Sequence, residues 1–191
     1  CLTMAQGQRI VETARRYARV FQTGAQRLSE SPHVCAIEMA RSGRLGRIET
    51  VYADCRWRGG YRHDWLPAAT EPPKSDFDWD IWLGPSPWRP YNGSYINGGE
   101  WYNHEDFATD IAQWGAHTVA QALAGLDLAG VTTIAFDYAG PDATMVTRLS
   151  NGVKLVLYRV SGDVWKKCEY WYSSCGERFD GPGGWAGAAD G

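Results

Sequence analysis

At 191 residues and 44% hydrophobic, the chain holds enough apolar material for one ordinary domain, or for two small pieces sharing a core. A net charge of −3 argues against electrostatic capture of nucleic acid, and no apolar run reaches the roughly 18 residues that would span a membrane. Ten tryptophans and 22 glycines are the unusual counts. Flat amphipathic rings suit protein cores and sugar-binding surfaces alike.

Thr3 to Gln6 reads as a capping box, and Ile10, Val11, Ala14, Tyr17, Ala18 and Phe21 follow at helical spacing. "RVFQTG" predicts a short buried strand ending at Gly24. Ser31-Pro32 opens a second helix with Val34, Ile37 and Ala40 on its inner face, and Gly43 ends it. "RIETVYADCRW" predicts a strand. Residues 58–100 then form a long insertion rich in Gly, Pro and Trp, and an insertion so aromatic should be ordered and functional. A third helix is expected over about Ala108 to Leu126. "VTTIAFDYA", "ATMVTRLS", "VKLVLYRVS" and "WKKCEYWYSS" follow as consecutive strands of a meander, separated by turn residues. The whole predicts an α+β fold with an open, mainly antiparallel sheet packed with helices on one side.

The five cysteines, Cys1, Cys35, Cys55, Cys168 and Cys175, include no C-x-x-C, so reduced core thiols are expected. The alternative is a hairpin pairing of Cys168 with Cys175. The first residue is Cys1, which leaves processing, a lipid anchor or upstream residues open. A cytoplasmic location is expected, with periplasmic or lipid-anchored placement as alternatives.

Three stretches carry candidate chemistry. "SDFDWDIWLGPSPWRPYNGSY", Ser75 to Tyr95, gathers Trp79, Trp82 and Trp88 around Asp78, Asp80 and Arg89. Arg89 is expected to anchor the loop on Asp78 or Asp80, with contact to substrate as the other reading. The tryptophans belong mainly to a core, with at least one facing a sugar. "GGEWYNHEDFATD" places Glu100, Tyr102, His104, Glu105, Asp106 and Asp110 ahead of the third helix. These acids read as a solvated helix N-terminus, or as the carboxylic acid and carboxylate that glycoside cleavage needs. His63, Asp64, His104 and Asp106 lack the tight spacing of metal ligands, and no metal is assigned. On the third helix Gln113, His117 and Gln121 share one face at i, i+4 spacing. A neutral His117 suits proton transfer near pH 7, and the alternative is a structural histidine.

"LTMAQGQRIVETARRYARVFQTGAQ", "ARSGRLGRIETV", "DWDIWLGPSPWRPYN", "WGAH" and "CGERFDGPGGWAGAADG" resemble the Gfo/Idh/MocA family of sugar oxidoreductases along nearly the whole chain. The resemblance implies that residues 1–30 correspond to the end of a Rossmann domain, and residues 31–191 to the family's C-terminal substrate domain, cut short at its C-terminus. It also implies His117 as a proton-transferring residue, a carbohydrate site beside the tryptophan loop, and a homo-oligomer.

The departures from the family are equally specific. The Gly-rich turn that cradles a pyrophosphate is absent from these residues. Cys1 runs directly into Leu2-Thr3-Met4, without the family's Glu-Lys-Pro. Gln113 and Ala120 stand where the family commonly places aspartates, and Gln113 cannot exchange protons. No bound cofactor is therefore expected, and NAD(P) only with a supplied Rossmann half.

The expected function is a carbohydrate-active enzyme working by acid–base chemistry, through glycoside hydrolysis or elimination. His117, Glu105 and Asp106 are its catalytic candidates. Gln113, Trp88, Arg89, Tyr91, Tyr102 and His104 are its candidate sugar contacts. The alternatives are a portion of an NAD(P)-dependent sugar or polyol dehydrogenase, and a non-catalytic sugar-binding or assembly module. The expected partner is a carbohydrate, with neither nucleic acid nor membrane.

Overall fold

The computed structural model describes residues 3–55, 64–107, 110–132, 134–137, 145–158 and 175–190. They fall into two compact units, one of Cys1–Phe21 with Gly60–Thr109, the other of Gln22–Gly59 with Asp110–Gly191.

The first unit opens with helix α1, Met4–Arg16. Its start is the predicted capping box. Thr3 Oγ1 accepts from the Gln6 N–H and Gln6 Oε1 accepts from the Thr3 N–H, both at 3.2 Å. No α1 side chain is buried. The strand expected after it does not form: residues 19–24 lie outside any strand, with Val20 98% and Phe21 60% exposed. A short apolar run becomes a strand only where a neighbour takes up its N–H and C=O groups, and no described strand pairs with this one.

The tryptophan-rich stretch of the same unit is not an irregular loop. It folds around a small aromatic core of Trp79, Leu83 and Tyr95, with Leu66, Phe77, Trp82, Tyr91, Ile96 and Phe107 packed against it. Asp78 caps the five-residue helix α3, Trp79–Leu83, by accepting from the Ile81 N–H. Gly84 then turns the chain away at φ 57, a conformation that costs a side-chain-bearing residue more than glycine. Trp79 stacks on Trp82 at 4.8 Å and meets Tyr91 edge-on at 5.3 Å. Its Nε1–H donates to the Arg89 carbonyl at 2.8 Å, so the largest core ring also pins the loop that follows. The buried Tyr95 hydroxyl accepts from the Leu66 N–H at 2.8 Å.

The second unit is an open six-stranded sheet with two helices packed on it. Its strands are β1 (Thr50–Asp54), β2 (Ile134–Asp137), β3 (Met145–Leu149), β4 (Lys154–Tyr158), β5 (Glu177–Gly181) and β6 (Gly184–Ala188). Their spatial order is β2-β3-β4-β1-β5-β6. β1 runs parallel to β4 and every other pairing is antiparallel, as expected of a mainly antiparallel sheet.

Two details correct the expected meander. β1, early in the sequence, inserts between β4 and β5. The closing "CGERFDGPGGWAGAADG" is itself a hairpin, β5–β6, that completes the sheet. The segment "WKKCEYWYSS" lies outside the described residues. Cys175 carries a free thiol, and Cys168, the other half of the hairpin pairing, lies outside the described residues.

Helices α2 (Ser31–Arg41) and α4 (Asp110–Ala124) cover one face of the sheet. Ala36, Ile37 and Ala40 of α2 meet Val51 and Ala53 of β1, Leu155 and Leu157 of β4, and Phe179 of β5 in one core. α4 comes so close to β5 that a Cβ on Gly125 would sit 2.3 Å from the Phe179 ring. Strand alternation puts Glu177 on the same inward face as Phe179, two residues away. Helical spacing puts His33 on the same inward face as Ile37 and Ala40. A carboxyl and an imidazole therefore meet at one end of an otherwise apolar layer.

Candidate functional site

The polar end of the second unit is assembled from α2, α4, β5, the residues after β6, and the short 3-10 turn Gln26–Ser29. His33 is 1% exposed and Glu177 is completely buried. His33 Nδ1 lies 2.9 Å from both carboxyl oxygens of Glu177 and 2.6 Å from Nε2 of Gln121. Burial pushes the Glu177 carboxyl up to about 8, and the same burial holds His33 below the ordinary imidazole value against the opposite pull of Glu30 and Asp190. Both shifts favour the uncharged form of their group.

His33 Nε2 faces the other way, toward Glu30 Oε2 and Asp190 Oδ1, each 3.9 Å off. Asp190 is held in turn by a two-pronged pair with Arg27, at 2.7 Å from Nε and 2.6 Å from Nη2. The Arg27 guanidinium lies over the Trp114 ring at 6.0 Å, and that ring is 6.3 Å from the His117 ring. His117 and this cluster are thus parts of one arrangement. Burial lowers the His117 pKa, Arg27 lowers it further, and Asp190 and Glu30 work against both.

The face predicted for the third helix is real. Gln121 reaches His33, while Gln113 Nε2, His117 Nδ1 and Gln121 Oε1 are buried atoms without a hydrogen-bond partner among the described residues. Three unpaired polar atoms along one helical face are expensive to keep, at about 1–3 kcal/mol each. The thiols nearby are inert: burial pushes Cys55 and Cys175 each up to about 12.

The other candidates from the sequence sit in the first unit. Trp88 is 65% exposed, Tyr91 half-buried, and the exposed Tyr102 stacks on Trp101 at 3.9 Å. His104 is buried with its ring edge-on to Tyr95 at 5.2 Å, and Glu105 is exposed. Arg89 is completely buried and pairs with Asp106, which corrects the expected anchor on Asp78 or Asp80. Asp78 is already engaged by its own helix cap and by Lys74 at 3.2 Å. The Arg89 guanidinium packs over Phe107 at 4.6 Å and Trp65 at 5.4 Å. Asp106 therefore serves the loop as its counter-ion. His63 lies outside the described residues, as does the side chain of Asp110.

Sequence reasoning missed Arg27, Glu30, His33, Glu177 and Asp190. The signals were present for two of them. His33 shares helical spacing with Ile37 and Ala40, and Glu177 alternates with Phe179. A polar residue on an apolar stripe is the informative kind.

No family model matches the chain, and no curated protein matches it. Thirteen solved chains match it in structure. One is a candidate myo-inositol dehydrogenase from Sinorhizobium meliloti 1021, at 13% identity and a TM-score of 0.49, with 99% of this chain and 47% of that chain covered. The present chain thus spans about half the length of that structure. A likeness at this level is too slight to bear on chemistry.

Proposed function

We propose that the chain is an acid–base enzyme of carbohydrate chemistry, acting on a sugar or glycoside with His117 as the group that takes and returns a proton. Gln113, one turn before it, hydrogen-bonds a sugar hydroxyl. The observation that carries the reading is the row of buried, unpaired polar atoms on one face of α4, Gln113 Nε2 and His117 Nδ1 among them. A hydroxyl-rich ligand offers such atoms both donors and acceptors. His117 is held neutral by its surroundings, the state in which an imidazole accepts a proton. Glycoside hydrolysis or elimination is the reaction class, and no nicotinamide takes part. The exposed β2 residues Ile134 and Phe136 are proposed to be covered in a homo-oligomer.

The test is a panel of aryl-glycosides assayed with the parent and with His117→Ala. The variant should lose about 10²–10⁴-fold in rate at unchanged melting temperature. Because His117 is lowered from 6.5, the rate should rise as pH climbs through a value below 6.5 and then level off. A full rate in His117→Ala overturns the assignment. Sugar binding without turnover favours a binding module instead.

A further inference from the structure

Within the second unit we propose a binding site for one first-row divalent cation, built by Glu30 Oε2, His33 Nε2 and Asp190 Oδ1. Among the described residues these three ligand atoms lie within 4.8 Å of one another. The proposal stands apart from the reading of His117 and does not depend on it.

The case rests on how the imidazole is held. His33 is 1% exposed, and its Nδ1 is held by Glu177 and Gln121. Nε2 points between two carboxylates, each 3.9 Å away. That is too long for a hydrogen bond and close to the separation of two oxygen or nitrogen ligands around one ion, whose own bonds are about 2.0–2.2 Å. A modest inward movement of Glu30, which is about half exposed, closes the site.

The supporting contacts are those that metal ligands use. A ligating histidine typically hands its other nitrogen to a carboxylate, and ligating carboxylates are themselves hydrogen-bonded. Glu177 stands behind His33 in that role, and Arg27 stands behind Asp190. Arg27 is already matched by Asp190.

One nitrogen and two oxygens leave the other positions to water or to a substrate oxygen. This donor set suits Zn²⁺ and Mn²⁺ better than Ca²⁺ or Cu⁺.

The experiment is calorimetric titration of the chelator-treated chain with Mn²⁺, repeated with Zn²⁺, beside melting curves with and without each ion. Mn²⁺ is the primary probe because it ignores thiols, and Cys35 is an exposed free thiol that Zn²⁺ could find. One ion per chain and a raised melting temperature are expected. Glu30→Gln, at an exposed position, should fold like the parent and weaken binding at least about tenfold, as should Asp190→Asn. The proposal fails if no ion binds at roughly millimolar concentration, the weak limit of specific sites. It fails equally if binding survives both variants, or if it disappears in Cys35→Ser.

Discussion

Each unit buries a side chain that water would ionise, Arg89 in the first and Glu177 in the second, and the two solve the problem in opposite ways. In the first, Arg89 keeps its charge. It takes Asp106 as counter-ion and lays its planar face on Phe107 and Trp65. In the second, Glu177 gives up its charge. It holds a proton up to about 8 and presents a neutral hydroxyl to His33. The difference is chemical. A guanidinium cannot be deprotonated at any pH a protein survives, so its only routes inward are a carboxylate and aromatic faces. A carboxyl can neutralise itself, so it needs only an acceptor. A charge that cannot be shed makes a scaffold, while a proton that can be moved makes a site.

Three measurements break or sharpen that contrast. The largest effect is expected from Asp106→Ala, which strands Arg89 without its counter-ion. Arg89 is buried while Asp106 is about a third exposed, so the first unit should lose, in denaturant unfolding, part of the about 3–5 kcal/mol that breaking a fully buried pair costs. If stability is unchanged, Asp106 is free for chemistry and the scaffold reading of Arg89 is wrong.

Next comes Glu177→Gln, measured in chelator. A folded-state value raised from 4.5 to about 8 means that the folded chain holds a proton the unfolded chain has lost. The parent's stability from this group is complete below 4.5 and is lost as pH rises toward 8, by about 1.4 kcal/mol per pH unit at most. Glutamine is neutral throughout and still donates to Nδ1. The variant should match the parent near pH 4.5 and exceed it near pH 8. Parallel pH profiles would show that Glu177 is charged when folded. Below 6.5 the lowered His33 adds the opposite trend, a loss as pH falls, which both proteins share.

The smallest effect belongs to a neutral bond. Tyr95→Phe removes the acceptor of the Leu66 N–H and should cost about 1 kcal/mol, with no dependence on pH or salt. A loss as large as that of Asp106→Ala would mean that the aromatic core, rather than the ion pair, holds the loop.

The chain by itself determined its local elements. The Thr3–Gln6 box, the Ser31-Pro32 helix start and the i, i+4 face of Gln113, His117 and Gln121 are short-range patterns, and each was readable and present. The class of sheet followed from turn spacing. Only the tertiary structure decided which distant pieces meet. β1 lies between strands that come more than 100 residues after it, and no local signal specifies that insertion. Glu177 finds His33 across 144 positions, and Asp190 finds Arg27 across 163. "RVFQTG" failed as a strand for the same reason: its residues have the propensity, but a strand exists only through its neighbour. A helix closes its hydrogen bonds within itself, whereas a sheet and a buried charge need partners that sequence distance does not reveal.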